Sequence, residues 1–191
     1  MTRTVMDPEE RRRELLACAM RLFAERGYDN VSVRAVAREA GVASALAYHY
    51  FDSKERMFGE AIEEYARRCA EGMVAALDEE GASLDEKIDR ALAAGSGGFP
   101  YERFFHADGR GALHDRLSLA ICEEVRPHLR RALELDAALR GASAADADGL
   151  ASMMVYGCIG LASADAGAGA TDLARRYLAA LVAGFRSGPA S

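Results

Sequence analysis

The chain has 191 residues, half of them hydrophobic, 28% charged and 7% aromatic, which is the composition of an ordinary globular protein of one or two domains. No apolar run reaches the roughly 18 residues of a membrane span, and the charged start MTRTVMDPEERRRE lacks the apolar stretch of a secretory signal, so a cytoplasmic location is expected. The formal net charge of −6 is uneven: residues 1–57 hold 10 basic and 9 acidic side chains and the remainder 14 and 21, a balance that neither supports nor excludes nucleic acid.

Taken in order, the pattern is helical throughout. Asp7 and Pro8 form a helix start, followed by Glu9 and Glu10, which the helix dipole favours. Leu15, Leu16, Ala19, Leu22 and Phe23 make one apolar stripe, and Gly27 ends the helix after Arg26. Ser32 is the expected N-cap of a second helix, at an exposed end able to hold an anion. Val33, Val36, Ala37 and Ala40 give that helix its buried face, and Gly41 stops it. A short third helix then runs toward Tyr48, Tyr50 and Phe51. Helix, tight glycine turn and second short helix, over residues 32–51, match a helix-turn-helix, whose second helix enters the DNA major groove.

Asp52 or Ser53 caps a long fourth helix, whose stripe Met57, Phe58, Ala61, Ile62, Tyr65, Cys69, Met73 and Leu77 lasts to about Glu79. Ser83 to Glu86 form a capping box for a helix over 84–94, and GSGGFP at 95–100 is a loop. A short helix or ordered loop follows, to Asp108-Gly109. Residues 112–139 are helical, with Leu113, Leu117, Ala120, Ile121, Leu129, Leu133 and Leu135 apolar, and Pro127 predicts a kink or split near Val125. Residues 150–164 form an apolar helix. Thr171 or Asp172 caps the last one, which ends near Arg186 and carries Leu173, Tyr177, Leu178, Leu181, Val182 and Phe185. No β alternation and no repeat is visible, so the fold class is all-α with about nine helices. Cys18, Cys69, Cys122 and Cys158 lie far apart without metal-ligand spacing, and buried free thiols are expected.

From Leu16 to about Ile62 the chain resembles the TetR family of bacterial transcriptional repressors. The motifs that carry this are Leu22-Phe23 with Gly27-Tyr28, Ser32-Val33 with Val36-Ala37, Gly41-Val42, and Tyr48, Tyr50-Phe51 and Ser53-Lys54-Glu55, correctly spaced across four helices. The domain so implied takes in roughly residues 9–69. The expected division is a DNA-binding domain over 1–55 and a helical regulatory domain over 56–191.

The resemblance implies contacts to double-stranded operator DNA. Ser32 and Arg34 would meet phosphate or a nearby base edge. Ala43, Ser44, Ala45, Tyr48 and His49 belong to the recognition helix, and Lys54 would hold a phosphate. Lys54 is one of two lysines beside 22 arginines. The family often has Ser or Thr at position 43, so Ala43 removes the usual cap and Ser44 is the substitute. Gly is common at position 45, where Ala45 is compatible with a helix. A larger aliphatic residue is usual at position 47, and Ala47 leaves Leu46 or Tyr50 to fill the space. The recognition helix lacks Arg, Lys, Asn and Gln, so discrimination is expected from Tyr48, His49, thymine-methyl contacts and DNA shape.

The resemblance also implies a homodimer in which the last two helices of each copy form a four-helix bundle. Met153, Met154, Gly157, Gly160, Leu161, Tyr177, Leu178 and Leu181 are the interface expected there. Phe99, Tyr101, Phe104 and Phe105, with Tyr65, His106 and His114, line either a pocket for a small-molecule effector or plain core under a loop. An operator-bound repressor released by that effector is the function implied, with an activator or constitutive DNA binder on the same fold as alternative. A di-iron or haem enzyme is the remote rival class. It would need Glu-x-x-His pairs or a nucleophile–base set, and the chain has neither, so no catalytic residue, metal, cofactor or membrane partner is expected.

Overall fold

A computed structural model describes residues 7–96, 111–163 and 169–188. Among them are eight α-helices and one 3-10 turn, Tyr28–Asn30. The helices are α1 Pro8–Arg26, α2 Val33–Glu39, α3 Ser44–Tyr50, α4 Lys54–Asp78, α5 Leu84–Gly95, α6 Gly111–Leu139, α7 Ala147–Ser163 and α8 Ala170–Ser187. None is long and apolar enough to cross a membrane. They group into two compact units, and the division falls within α4 after Arg68 and within α6 after Leu117.

The first unit holds α1 to α3, the start of α4 and the start of α6. All five stripe residues of α1 are buried, with Met20 and Ala24 beside them. Asp7 accepts a hydrogen bond from the Glu9 N–H at 3.3 Å, and Gly27 closes the helix at φ +80°. Met57, Phe58, Ala61 and Ile62 of α4 are buried as their spacing predicts. Of the two possible caps for α4, Ser53 fills the role, its hydroxyl accepting from the Arg56 N–H at 3.1 Å, while Asp52 pairs with the Arg56 guanidinium. The turn after α2 is a full Schellman motif. Gly41 N–H donates to the Arg38 carbonyl at 3.2 Å and Val42 N–H to the Ala37 carbonyl at 2.9 Å, with Gly41 at φ +66°.

The second unit is built on a core of Leu77, Leu84, Ile88, Val125, Leu129, Leu133, Met154, Leu178 and Val182 with small alanines between them. Ser83 and Glu86 form the expected capping box. Lys87 is buried and donates to the Leu77 carbonyl at 2.9 Å, satisfying one of the orphan acceptors at the end of α4. Three expectations need correction here. Of the kink or split expected at Pro127, the split does not occur, since α6 is continuous over 29 residues; Val125 and Leu129 are buried on either side of it, and that packing outweighs the local cost of the proline. Leu135 is not core: it is 51% exposed, and Ala132, Leu133 and Ala137 carry the buried face instead. Neither Thr171 nor Asp172 caps α8; the cap position is Gly169, with no side-chain bond, and Asp172 sits in the first turn where the dipole favours it.

All four cysteines are free, but only Cys122 is fully buried, and the other three are half-buried. Burial, with Cys158 and Glu123 nearby, pushes the Cys122 thiol up to about 12, so it stays protonated and a poor nucleophile at neutral pH.

A clamp of charges joins α5, α6 and α8. Arg186 bonds Asp136 at 3.0 Å and Asp85 at 2.8 Å, and Arg140 bonds the other oxygen of Asp136 at 2.9 Å. Burial alone would raise the Asp136 carboxyl, but the hydrogen bonds from Arg186 and Arg140 outweigh it and hold the group below the usual aspartate value. A depressed folded pKa means that this stabilisation is present above the unfolded value of about 4 and is lost as pH falls through the lower folded value. Acid titration of unfolding should therefore show Asp136→Asn flattening the loss of stability below about pH 4, and costing about 1–3 kcal/mol at neutral pH. Gly41→Ala should cost about 1–2 kcal/mol in urea denaturation. An added Cβ meets nothing within 4 Å there, so a smaller loss would mean that the backbone leaves the left-handed region freely.

Candidate nucleic-acid interface

The two short helices α2 and α3 pack against each other and present different amounts of side chain to the core. Val33, Val36 and Ala37 bury one face of α2. In α3 only Ala47 is fully buried, and Phe51, just past its end, is 0% exposed. Ser44, Ala45, Leu46, Tyr48 and His49 all face out, Tyr48 at 44% exposure. Leu46 therefore does not fill space beside Ala47, contrary to one expectation; a small residue there lets the helix lie close to its neighbour. Tyr50 is half-buried and packs its ring against His49 and Phe51, at centroid distances of 5.6 Å and 6.3 Å.

Capping differs between the two helices. Ser32 is exposed, and its hydroxyl accepts from the Ala35 N–H at 3.2 Å, as expected of an N-cap. Ala43 occupies the cap position of α3 in extended conformation, and no side chain bonds the first turn. Ser44 does not take over, because the helix already begins with it. The first-turn N–H groups of α3 are thus left without a side-chain acceptor, a loss of about 1 kcal/mol relative to Ser or Thr.

The cations of this unit differ in their partners, and some on the frame also lack a carboxylate: Arg13 bonds the Glu9 carbonyl, Arg116 lies over the Phe58 ring, and Arg26 is exposed with no ion pair among the described residues. Arg11, Arg12, Arg21 and Arg56 are tied to carboxylates, Arg12 to Glu60 and Arg21 to Glu39 at 2.6 Å each. Arg34 and Arg38, exposed one turn apart on α2, have no ion-pair partner among the described residues. Lys54 at the start of α4 also has no carboxylate partner there; its ammonium lies 4.1 Å from the Tyr28 ring centre and donates to the Asp29 carbonyl at 3.4 Å. Cations without a carboxylate partner among the described residues thus stand on the helix-turn-helix and its flank, as well as at Arg13, Arg26 and Arg116. Such a surface suits phosphates, with the exposed Tyr48 and His49 able to reach base edges. The motif pattern includes Tyr28 but gives it no role at the site, and it does not single out Arg38. Arg38 is visible in the i, i+4 spacing from Arg34, but Tyr28 and Lys54 are far apart in the chain and their pairing leaves no local signal.

For the effector pocket, Phe99, Tyr101, Phe104, Phe105 and His106 lie outside the described residues. Tyr65 is buried on α4 and His114 half-buried on α6. In the second unit Met154 and Leu178 are taken up by the core, whereas Met153 and Tyr177 are 66% and 56% exposed. Gly157 and Gly160 are exposed like Met153, and Leu161 and Leu181 are half-buried.

Residues 15–61 match the family model described as bacterial regulatory proteins, tetR family. The transcriptional regulator BetI of Agrobacterium fabrum is 43% identical over 67 residues, which is 35% of this chain and 32% of that protein. The transcriptional repressor KstR2 of Mycolicibacterium smegmatis is 42% identical over 62 residues, 32% of this chain and 30% of that protein. The chain thus matches about a third of the length of these curated relatives. Over nearly its whole length it shares its fold with a transcriptional regulator of Pseudomonas aeruginosa PAO1, at 21% identity and TM-score 0.65, covering 96% of this chain and 93% of that one. GusR of Salmonella enterica is alike at 19% identity and TM-score 0.65, covering 95% of this chain and 100% of that one. Four helices with matching motifs, an outward-facing α3 and cations beside it agree with these likenesses: residues 15–61 form a helix-turn-helix unit that matches the model of the tetR family of bacterial regulatory proteins.

Proposed function

We propose that the protein is a transcriptional repressor that binds operator DNA as a homodimer and leaves it when a small molecule occupies the helical C-terminal part. The observation that carries the DNA-binding element is the outward-facing α3, with Ser44, Ala45, Leu46, Tyr48 and His49 exposed and with Arg34, Arg38 and Lys54 nearby lacking carboxylate partners among the described residues. In this reading α3 enters the major groove, Tyr48 and His49 meet base edges, and Ser32, Arg34 and Lys54 hold the backbone. The naming of a relative as a repressor supports the sign of regulation.

Dimerisation has its own support. Met153 with Gly157 and Gly160 on α7, and Tyr177 with Gly184 on α8, form stripes at helical spacing on the outer side of the unit. Burying Met153 and Tyr177 against a second copy would gain about 1.5–3 kcal/mol for each large apolar side chain, and the glycines permit close helix approach. Two such copies would set their recognition helices about 34–36 Å apart, on a pseudo-palindromic site. An effector then acts by population shift, binding more tightly to a conformation with the wrong spacing.

The test uses duplexes selected from random-sequence DNA by the protein itself, titrated by fluorescence anisotropy over a series of salt concentrations. Affinity should fall steeply with salt, and Arg34→Ala should weaken it by about 5–150-fold, equivalent to about 1–3 kcal/mol. Tyr177→Glu should shift the sedimentation coefficient to that of a monomer and abolish tight binding. Failure to recover any duplex bound in a salt-sensitive way would sink the proposal.

A further inference from the structure

Lys54 does not project freely, although lysine is the more flexible of the two basic side chains. Its Nζ lies 4.1 Å from the centre of the Tyr28 ring and 3.4 Å from the Asp29 carbonyl oxygen. Tyr28 is itself held from three directions. Its ring packs on Phe23 at 5.8 Å and on Phe58 at 4.7 Å, and its hydroxyl donates to Glu55 Oε1 at 3.1 Å. Glu55 directly follows Lys54. The same tyrosine therefore forms a platform under the ammonium and a latch on the first turn of the helix that bears it.

The kind of partner matters. A carboxylate beside the ammonium would cancel its charge, as Asp52 and Glu60 do for Arg56 two residues on. An aromatic face attracts the cation through its quadrupole and leaves the charge intact. The ammonium has three donors, and the Asp29 carbonyl takes one at a long distance, so the others remain for a further acceptor. Freezing a lysine on binding ordinarily costs rotamer entropy, and here the folded protein has already fixed the side chain.

We propose that Tyr28 is a positioning residue that preorganises Lys54 for a DNA phosphate. This rests on the DNA-binding reading above and adds to it a residue that touches no DNA itself. Replacing the ring face should thus act through Lys54 and only through it.

The experiment is a double-mutant cycle on a duplex selected by the unsubstituted chain, with affinity measured over a salt series. Lys54→Ala should weaken binding about tenfold and flatten the slope of log K against log salt by about 0.9 for each phosphate that is no longer neutralised. Tyr28→Leu should weaken binding about three- to tenfold, with a flatter slope, yet change affinity less than about twofold when Lys54 is already Ala. Tyr28→Phe, which keeps the ring face, should stay within about twofold of the parent. Pentafluorophenylalanine at position 28 keeps the packing but reverses the ring quadrupole. It should behave as Tyr28→Leu does, and it decides the matter should Tyr28→Leu fail to fold by circular dichroism. An equal loss from Tyr28→Leu with and without Lys54, tighter binding by Tyr28→Leu, or full affinity with the fluorinated ring would each overturn the positioning role. No salt-sensitive binding by the unsubstituted chain would instead overturn the DNA-binding reading beneath it.

Discussion

A seven-residue helix cannot persist in water on its own hydrogen bonds, since isolated helices shorter than about 12–15 residues are marginal even with favourable sequences. The candidate reading surface consists of two such helices, α2 and α3. Everything that fixes them is tertiary. Val33, Val36 and Ala37 press α2 into the first unit, and Ala47 with Phe51 does the same for α3. The glycine turn at Gly41, with its two closing hydrogen bonds, leaves the chain little choice of direction between them. The longer helices α1 and α4 have period and caps enough to form a stable frame, and the short pair depends on that frame.

Electrostatics follows the same division of labour. The frame neutralises several of its own cations through pairs such as Arg12–Glu60 and Arg21–Glu39. Most of these pairs are partly exposed and add little stability each. Their larger effect is on the field, because they cancel part of the charge on the frame, while Arg34, Arg38 and Lys54 keep theirs around α2 and the start of α4. A chain with net charge −6 can in this way present a locally positive face.

Much of this was legible in the residues. The helical stripes of α1 and α4, the capping box at Ser83 and the left-handed turn at Gly41 are local signals, and each appears where the pattern places it. The errors share a cause. Leu135 keeps helical spacing yet faces solvent, because spacing cannot tell which of two adjacent stripes meets another helix. Pro127 reads as a kink or a split, and the split is absent because packing on both sides carries α6 through it. Thr171 and Asp172 are good cap residues in the wrong register, and nothing local reveals that α8 starts earlier, after Gly169. Met154 and Met153 are adjacent and chemically identical, and only the placement of α7 separates a core residue from an exposed one. At the candidate site, residue types and order were readable, whereas the pairing of Tyr28 with Lys54 depends on a fold that brings the 3-10 turn to the start of α4.

The uncapped, lightly attached α3 has a consequence for how such a protein can change. Its hold on the domain comes from Ala47, the half-buried Tyr50 and the adjoining Phe51, and the five outward positions are exposed, with His49 packing only on Tyr50. Substitutions at exposed positions of this kind usually alter stability by no more than about 0.5 kcal/mol. Mutational drift can therefore reach new outward side chains at Ser44, Ala45, Leu46, Tyr48 and His49 without first acquiring a compensating change elsewhere. The surface that would discriminate among partners is the one that selection for foldability constrains least, and descendants of such a chain can diverge in target while keeping the same architecture.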